Sequence, residues 1–374
     1  MTEAMALALP MGAMALGVLF GATIQRSHFC TMGCISDAVL FGSFRRLRIW
    51  ALAIAVALAG SQLLQALGLV DLAATAYRQP DLFWLGAIVG GIMFGFGMVL
   101  AGGCASRNLA RLGGGSLKAL VTLLVMGVVA YATTFGVLAP LYRALRAIGV
   151  ADLGRAGVGD QGLPALLAGL TDVPSGWWAI LITLAVAITL LLFCFRDVAF
   201  RRARGDIVTG LVLGALVPAG WLLTGWLFAA PSAPAPAQSI TFVGPVGGAV
   251  HYVMTGGAGL DFGVALVIGT VAGALAVALQ RRQFRFEGFV SRDDMVRHLL
   301  GGALMGCGGS LALGCTIGQG LTGVSTLSIG SWLALASIMA GGWWGVKFLE
   351  TGRLLPRFRR RQPATVTAGG IRTG

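Results

Sequence analysis

The chain has 374 residues, 57% of them hydrophobic and 11% charged, with a net charge of +13 and a mean hydropathy of +0.85. Soluble domains carry about a quarter charged residues, so this composition excludes a soluble globular protein and indicates an all-α integral membrane protein embedded in a lipid bilayer. Nucleic acid is excluded as a partner, because the basic residues are not spread over one face but gather at the ends of apolar segments.

Four such groups occur: Arg45, Arg46 and Arg48; Arg196, Arg201, Arg202 and Arg204; Arg281, Arg282 and Arg285; and Arg353, Arg357, Arg359, Arg360 and Arg361. A spanning helix needs about 20 apolar residues. Nine passes fit between the groups, over about 5–40, 49–70, 83–112, 117–139, 176–195, 206–228, 261–280, 296–321 and 330–350. The positive-inside rule then puts the basic groups in the cytoplasm, the N-terminus outside and the C-terminus inside. Outside loops fall at 71–82, 140–175 and 231–259, although Arg143, Arg146 and Arg155 in the second run against the rule. The first 19 residues lack the basic start and small-residue cleavage site of a removable signal.

The first pass is interrupted by Gln25-Arg26-Ser27-His28-Phe29-Cys30-Thr31-Met32-Gly33-Cys34-Ile35-Ser36-Asp37. Arg26 and Asp37 are costly in a membrane unless they pair or face water, so they are expected to be mutual partners or to line a cavity. At an interface they would snorkel instead.

The third pass carries Gly90-Gly91-Ile92-Met93-Phe94-Gly95-Phe96-Gly97-Met98-Val99-Leu100-Ala101-Gly102-Gly103-Cys104, and the eighth repeats its pattern. A constant offset of 211 residues carries Gly91 to Gly302, Gly95 to Gly306, Gly97 to Gly308, Gly103 to Gly314 and Cys104 to Cys315. The two passes cross in opposite senses, so the expected architecture is an inverted pseudo-twofold repeat of four plus one plus four passes. Gly17-Val18-Leu19-Phe20-Gly21 resembles Gly210-Leu211-Val212-Leu213-Gly214 and extends the match. The expected divisions are a first membrane repeat (1–140), an extracytoplasmic loop and connector helix (141–200), an inverted second repeat (201–352) and a basic tail (353–374). On this alignment the break at Cys30 corresponds to 218–224, which has no cysteine.

After each Gly-Cys the apolar run stops, with Ala105-Ser106-Arg107-Asn108 in the first copy and Thr316-Ile317-Gly318-Gln319-Gly320 in the second. Irregular backbone at membrane depth is tolerated only where protein buries it or it lines a polar cavity. Short re-entrant half-helices starting there would aim free N–H groups at a bound anion. Gly103, Gly314 and Gly318 supply the loop backbone, and Ser106, Thr316, Gln319 and Arg26 are secondary polar candidates.

Buried cysteine usually behaves as a small hydrophobe, and Cys194 between two phenylalanines fits that role. Cys104 and Cys315, in equivalent broken loops, are read as functional, together with Cys30; Cys34 and Cys307 fit either role. None of the spacings is that of a Cys-x2-Cys redox motif or zinc site, so no metal and no cofactor is expected. Hydrolase, metalloprotease and phosphate-loop motifs are absent from the sequence, and the chain is read as a transporter rather than an enzyme. A membrane thiol-disulfide enzyme, a soft-metal channel and a structural scaffold are the competing readings.

The segments Gln25-Arg26-Ser27-His28-Phe29-Cys30, Ala101-Gly102-Gly103-Cys104-Ala105-Ser106 and Gly314-Cys315-Thr316-Ile317-Gly318-Gln319-Gly320-Leu321-Thr322-Gly323-Val324 resemble the signature regions of the YeeE/YedE sulfur-transport family. The resemblance runs from about residue 10 to 350. It implies a bacterial inner-membrane importer of thiosulfate or a related sulfur compound, with nine spanning helices plus half-helices in an hourglass. It further implies a relay of thiol hydrogen bonds through Cys30, Cys104 and Cys315 without a lasting covalent intermediate. Some relatives are associated with selenium or other sulfur species. A separate cytoplasmic sulfurtransferase or sulfur-carrier protein is the implied recipient.

Overall fold

The computed structural model describes residues 3–156, 159–171, 173–228, 236–257 and 260–352. The described residues are mostly helical, with one short strand pair, Asp81–Leu82 against Ala151–Asp152. In order the helices are α1 (Glu3–Ser27), α2 (Thr31–Leu40), α3 (Arg45–Ala66), α4 (Trp84–Leu100), α5 (Ala105–Gly113), α6 (Leu117–Thr134), α7 (Ala139–Gly149) and α8 (Leu163–Leu170). There follow α9 (Ser175–Phe195), α10 (Val198–Arg202), α11 (Arg204–Phe228), α12 (Val243–Met254), α13 (Phe262–Gln280), α14 (Arg292–Leu311) and α15 (Ile329–Thr351). A π-helical segment, Gly318–Gly323, precedes α15.

Eight of the described stretches are long and apolar enough to cross a membrane: Ala8–Leu40, Arg45–Ala66, Trp84–Gly113, Leu117–Thr134, Ser175–Phe195, Arg204–Gly225, Phe262–Gln280 and Ile329–Thr351. The expected pass at 296–321 is outside this group. Its residues form α14 and the turn after it, and α14 begins with Arg292, Asp293 and Asp294. Those charges suit a helix start. The Ser291 side chain accepts the Asp294 N–H at 3.1 Å, and the two aspartates complement the partial positive end of the helix. Asp261 caps α13 similarly, accepting the Val264 N–H at 2.7 Å.

Two expectations change. The stretch 218–224 is not a break but lies inside continuous α11, which accommodates Pro218. Arg26 and Asp37 do not pair: Arg26 is exposed, and Asp37 instead meets Arg46 at 3.4 Å, because α3 brings that arginine beside α2. The loop at 140–175 holds most of α7 and all of α8, and is tied down by the Arg78–Asp160 ion pair at 2.8 Å. The proline-rich start of the following loop falls mostly, and the basic tail wholly, outside the described residues.

Helix partners come in exchanged pairs. α1 packs on α13 and α11 on α3; α4 packs on α15 and α14 on α6; α2 touches α3 and α15 while α12 touches α13 and α6. At the centre α4 crosses α14, and glycine makes the crossing close. A Cβ on Gly90 would sit 2.5 Å from the Gly308 oxygen, and one on Gly308 2.6 Å from the Gly90 oxygen. Gly97 and Gly301 face each other in the same reciprocal way, at 2.8 and 2.7 Å. Small residues that admit such backbone contact are what binds helices where lipid removes the hydrophobic drive. Further ion pairs join Arg48 with Asp197, Arg45 with Asp206, and Lys118 with Asp294 at 2.8 Å.

A candidate thiol-lined path between the crossed helices

The two Gly-Cys turns have one hydrogen-bond pattern. After α4, the N–H groups of Ala101, Gly102 and Gly103 donate to the carbonyls of Gly97, Val99 and Met98; after α14, those of Ala312, Leu313 and Gly314 donate to Gly308, Ser310 and Gly309. This is the turn that closes a helix through one left-handed residue. Gly102 takes that position with φ 65° and Leu313 takes it with φ 56°.

Each turn delivers a cysteine. Cys104 becomes the N-cap of α5, in extended conformation, with its side chain making no capping bond. Cys30 is likewise the N-cap of α2 after the break that ends α1, again without a side-chain cap. Serine or aspartate at these positions would be used up by the helix N–H groups; the thiols stay available. Cys315 lies three residues before the π-helical segment, and its sulfur accepts the Gly318 N–H at 3.3 Å, with the Ile317 and Phe242 amides also facing it. All three are buried, at 8%, 1% and 0% relative exposure for Cys30, Cys104 and Cys315.

The structure brings Cys30 and Cys104 side by side, although 74 positions of sequence separate them. The Cys104 sulfur is 3.3 Å from the Ser106 hydroxyl and lies beside Thr316, which links it to the Cys315 turn. Gly103, Gly314 and Gly318 lie in these turns, and Gln319 donates its amide to the Ala312 carbonyl at 2.6 Å. The other thiols are employed locally. Cys34 donates to the Cys30 carbonyl at 3.3 Å, and Cys194 to the Arg48 carbonyl at 3.2 Å, tying α9 to α3. Cys307 sits partly buried on α14, and all six cysteines are free thiols. Arg26 lies at the exposed end of α1, where its carbonyl accepts from Arg281.

Among the described residues, five of the fourteen buried polar atoms without partners lie within four residues of one of the three cysteines: Thr31 Oγ1, Arg107 Nη1, Asn108 Oδ1, Thr316 Oγ1 and Gln319 Oε1. Native interiors leave few polar groups unpaired. On the Cys315 side an open cleft of about 390 Å³ is lined by Tyr77, Arg146, Ser239, Thr241 and Leu313. A small pocket of about 20 Å³ adjoins it, sharing Tyr77 and Leu313 and lined further by Gln161, Gln319 and Ser328. That volume holds about one water molecule. Tyr77, Thr241, Arg107, Asn108 and Arg146 are members that the sequence reading did not select. Asn108 was reachable, since the 211-residue offset carries it to Gln319.

A model of the family described as Sulphur transport matches residues 26–344. The thiosulfate transporter TsuA of Escherichia coli strain K12 is 28% identical over 343 residues, 87% of this chain and 91% of that one. The thiosulfate transporter TsuA of Spirochaeta thermophila is 27% identical over 341 residues, 88% of this chain and 95% of that one. The probable transporter YedE of Escherichia coli strain K12 matches a shorter stretch, 34% identical over 94 residues, or 25% of this chain and 22% of that one.

Proposed function

Because the chain belongs to the sulphur transport family, we propose that it is a multi-pass transporter of the bacterial inner membrane that imports thiosulfate or a closely related small sulfur anion. The observation that carries this reading is the gathering of three buried free thiols, Cys30 beside Cys104 and Cys104 linked through Thr316 to the Cys315 turn, with unpaired buried polar atoms close to each. The anion enters the cleft at Tyr77 and Thr241, meets Cys315, and passes by Thr316 to Cys104 and Cys30. Thiols are weak hydrogen-bond donors, and a conducting path needs sites that hold the guest loosely enough to let it go. No bond to sulfur is made or broken, and the chain is not an enzyme.

The exchanged helix partners support an inverted repeat, with α1 to α6 and α11 to α15 as its halves, α9 as the connector, and Cys104 and Cys315 as equivalent thiols. Counting α14 as a pass gives nine passes, with α2, α5, α12 and the π-helical segment as re-entrant pieces, an N-terminus outside and a basic tail inside. A cytoplasmic sulfurtransferase or sulfur carrier then receives the anion. The test is growth on thiosulfate as sole sulfur source of a bacterium lacking its own sulfate and thiosulfate importers. Rescue by this gene supports the reading. Absence of growth with the protein present in the membrane, while a known thiosulfate transporter rescues the same strain, contradicts it.

A further inference from the structure

We infer that Arg107, held in place by His28, is an oxyanion receptor beside Cys30 and Cys104, recognising the oxygen end of a sulfur oxyanion while the thiols face its sulfur. This rests on the transport reading above.

Arg107 occupies the first turn of α5, three residues after Cys104, and its charge acts on both Cys104 and Cys30. Its two terminal nitrogens are treated differently. Nη2 meets His28 Nδ1 at 3.4 Å, which must accept, since guanidinium only donates. Nη1 is buried and has no partner. A buried guanidinium N–H without an acceptor is costly, and among the described residues no carboxylate pairs with Arg107, whereas its neighbours Arg46 and Arg111 face Asp37 and Glu287. A guest that brings oxygen acceptors completes Arg107, and guanidinium is the side chain whose planar donors suit an oxyanion.

The setting of His28 is a second, independent observation. It is one of four non-glycine residues described with positive φ, at 52°, in the short break between α1 and α2. Left-handed backbone is unfavourable for such a residue and persists where the surroundings impose it, often at functional sites. Here it turns the imidazole onto Arg107 and two residues later delivers Cys30 to the N-cap of α2. One strained turn therefore sets both the thiol and the arm that holds the cation. A thiol alone does not distinguish a sulfur oxyanion from other soft guests; a thiol next to an unpaired guanidinium favours an anion with both a soft sulfur and hard oxygens.

The experiment is uptake of radiolabelled thiosulfate by proteoliposomes containing the full chain, with unlabelled sulfate as competitor, because sulfate offers the oxygens without the soft sulfur. Arg107→Gln is expected to lower uptake at subsaturating thiosulfate at least 20-fold. Arg107→Lys, which keeps the charge but not the planar donors, is expected to retain part of it and to raise the sulfate inhibition constant at least tenfold; His28→Ala is expected to fall between wild type and Arg107→Gln. Wild-type uptake and unchanged sulfate inhibition in these variants would overturn the inference and leave the transport reading standing. If Arg107→Gln does not fold, the sulfate inhibition constants of Arg107→Lys and His28→Ala decide. If wild-type proteoliposomes take up no thiosulfate, the transport reading falls. The rise in melting temperature with thiosulfate, larger in wild type than in Arg107→Lys at equal salt, then tests Arg107 on its own, and equal rises overturn it.

Discussion

Asn108 and Gln319 make the same unusual arrangement 211 residues apart: each donates its side-chain NH2 to the carbonyl of the glycine turn before it, and each leaves its own carbonyl oxygen buried and unpaired. Asn108 reaches the Gly103 oxygen at 2.9 Å, and the longer Gln319 reaches back to the Ala312 oxygen at 2.6 Å. The amide group therefore braces the turn that carries a cysteine and does so without adding a charge. A carboxylate has nearly the same shape, but it cannot donate and it is charged. Two unit charges 4 Å apart at an effective dielectric of about 20 interact by about 4 kcal/mol. Asn108→Asp and Gln319→Glu should each lower labelled thiosulfate uptake at least tenfold, with the protein still present in the membrane. Uptake within twofold of wild type would place both amides off the path.

Gly318 is fixed by lack of space. A Cβ there would lie 2.4 Å from the Thr241 hydroxyl, in the turn whose N–H bonds the Cys315 sulfur. Overpacking of this kind costs about 1 to 3 kcal/mol, so Gly318→Ala should lower the melting temperature and depress uptake. Gly288→Ala, with nothing within 4 Å of the new methyl, should do neither. Thermal unfolding in detergent with parallel uptake distinguishes the two.

The cysteines should separate into two classes. Cys34 and Cys194 spend their thiols on the Cys30 and Arg48 carbonyls, and a net hydrogen bond is worth about 1 kcal/mol. Cys34→Ala and Cys194→Ala are expected to keep most uptake with a modest loss of stability. Loss of transport in either one, with the protein folded, would extend the path beyond the three thiols.

Acid should loosen the Lys118 cluster. The hydrogen bond from the Lys118 ammonium holds the Asp294 carboxyl below its ordinary range. Burial pushes the Glu287 carboxyl up, but Arg111 and Lys118 together outweigh it and hold it low as well. Carboxylates with lowered folded values stabilise the protein fully above the ordinary carboxylate range near pH 4 and lose that contribution as pH falls through the lowered values. Melting temperatures between about pH 5 and pH 3 should therefore drop more steeply for wild type than for Lys118→Met. Parallel curves would show that Lys118 does not hold these carboxylates.

Composition alone was enough to assign the solvent, since no soluble fold accommodates so few charges. The 211-residue offset made the two Gly-Cys turns legible as a related pair of breaks, while their shared hydrogen-bond pattern is visible only in the folded chain. Other members of the site were not legible. Leu313 holds a left-handed position that sequence patterns assign to glycine, as at Gly102. Tyr77 and Thr241 come from separate polar segments and meet only by tertiary packing. Of the roles expected for Arg26 and Asp37, mutual pairing gave way to Arg46–Asp37 because α3 sets Arg46 beside Asp37, a competition that local spacing does not register. Cys30 sits in a segment without a visible copy in the second half, and only the folded chain sets it beside Cys104.

The central claim is that buried thiols conduct the anion, and the direct measurement is labelled thiosulfate uptake by proteoliposomes containing wild type, Cys104→Ala or Cys315→Ala at matched protein content. The account predicts uptake in wild type and none above empty liposomes in either variant, with all three proteins folded. Uptake at the wild-type rate in both variants would contradict it.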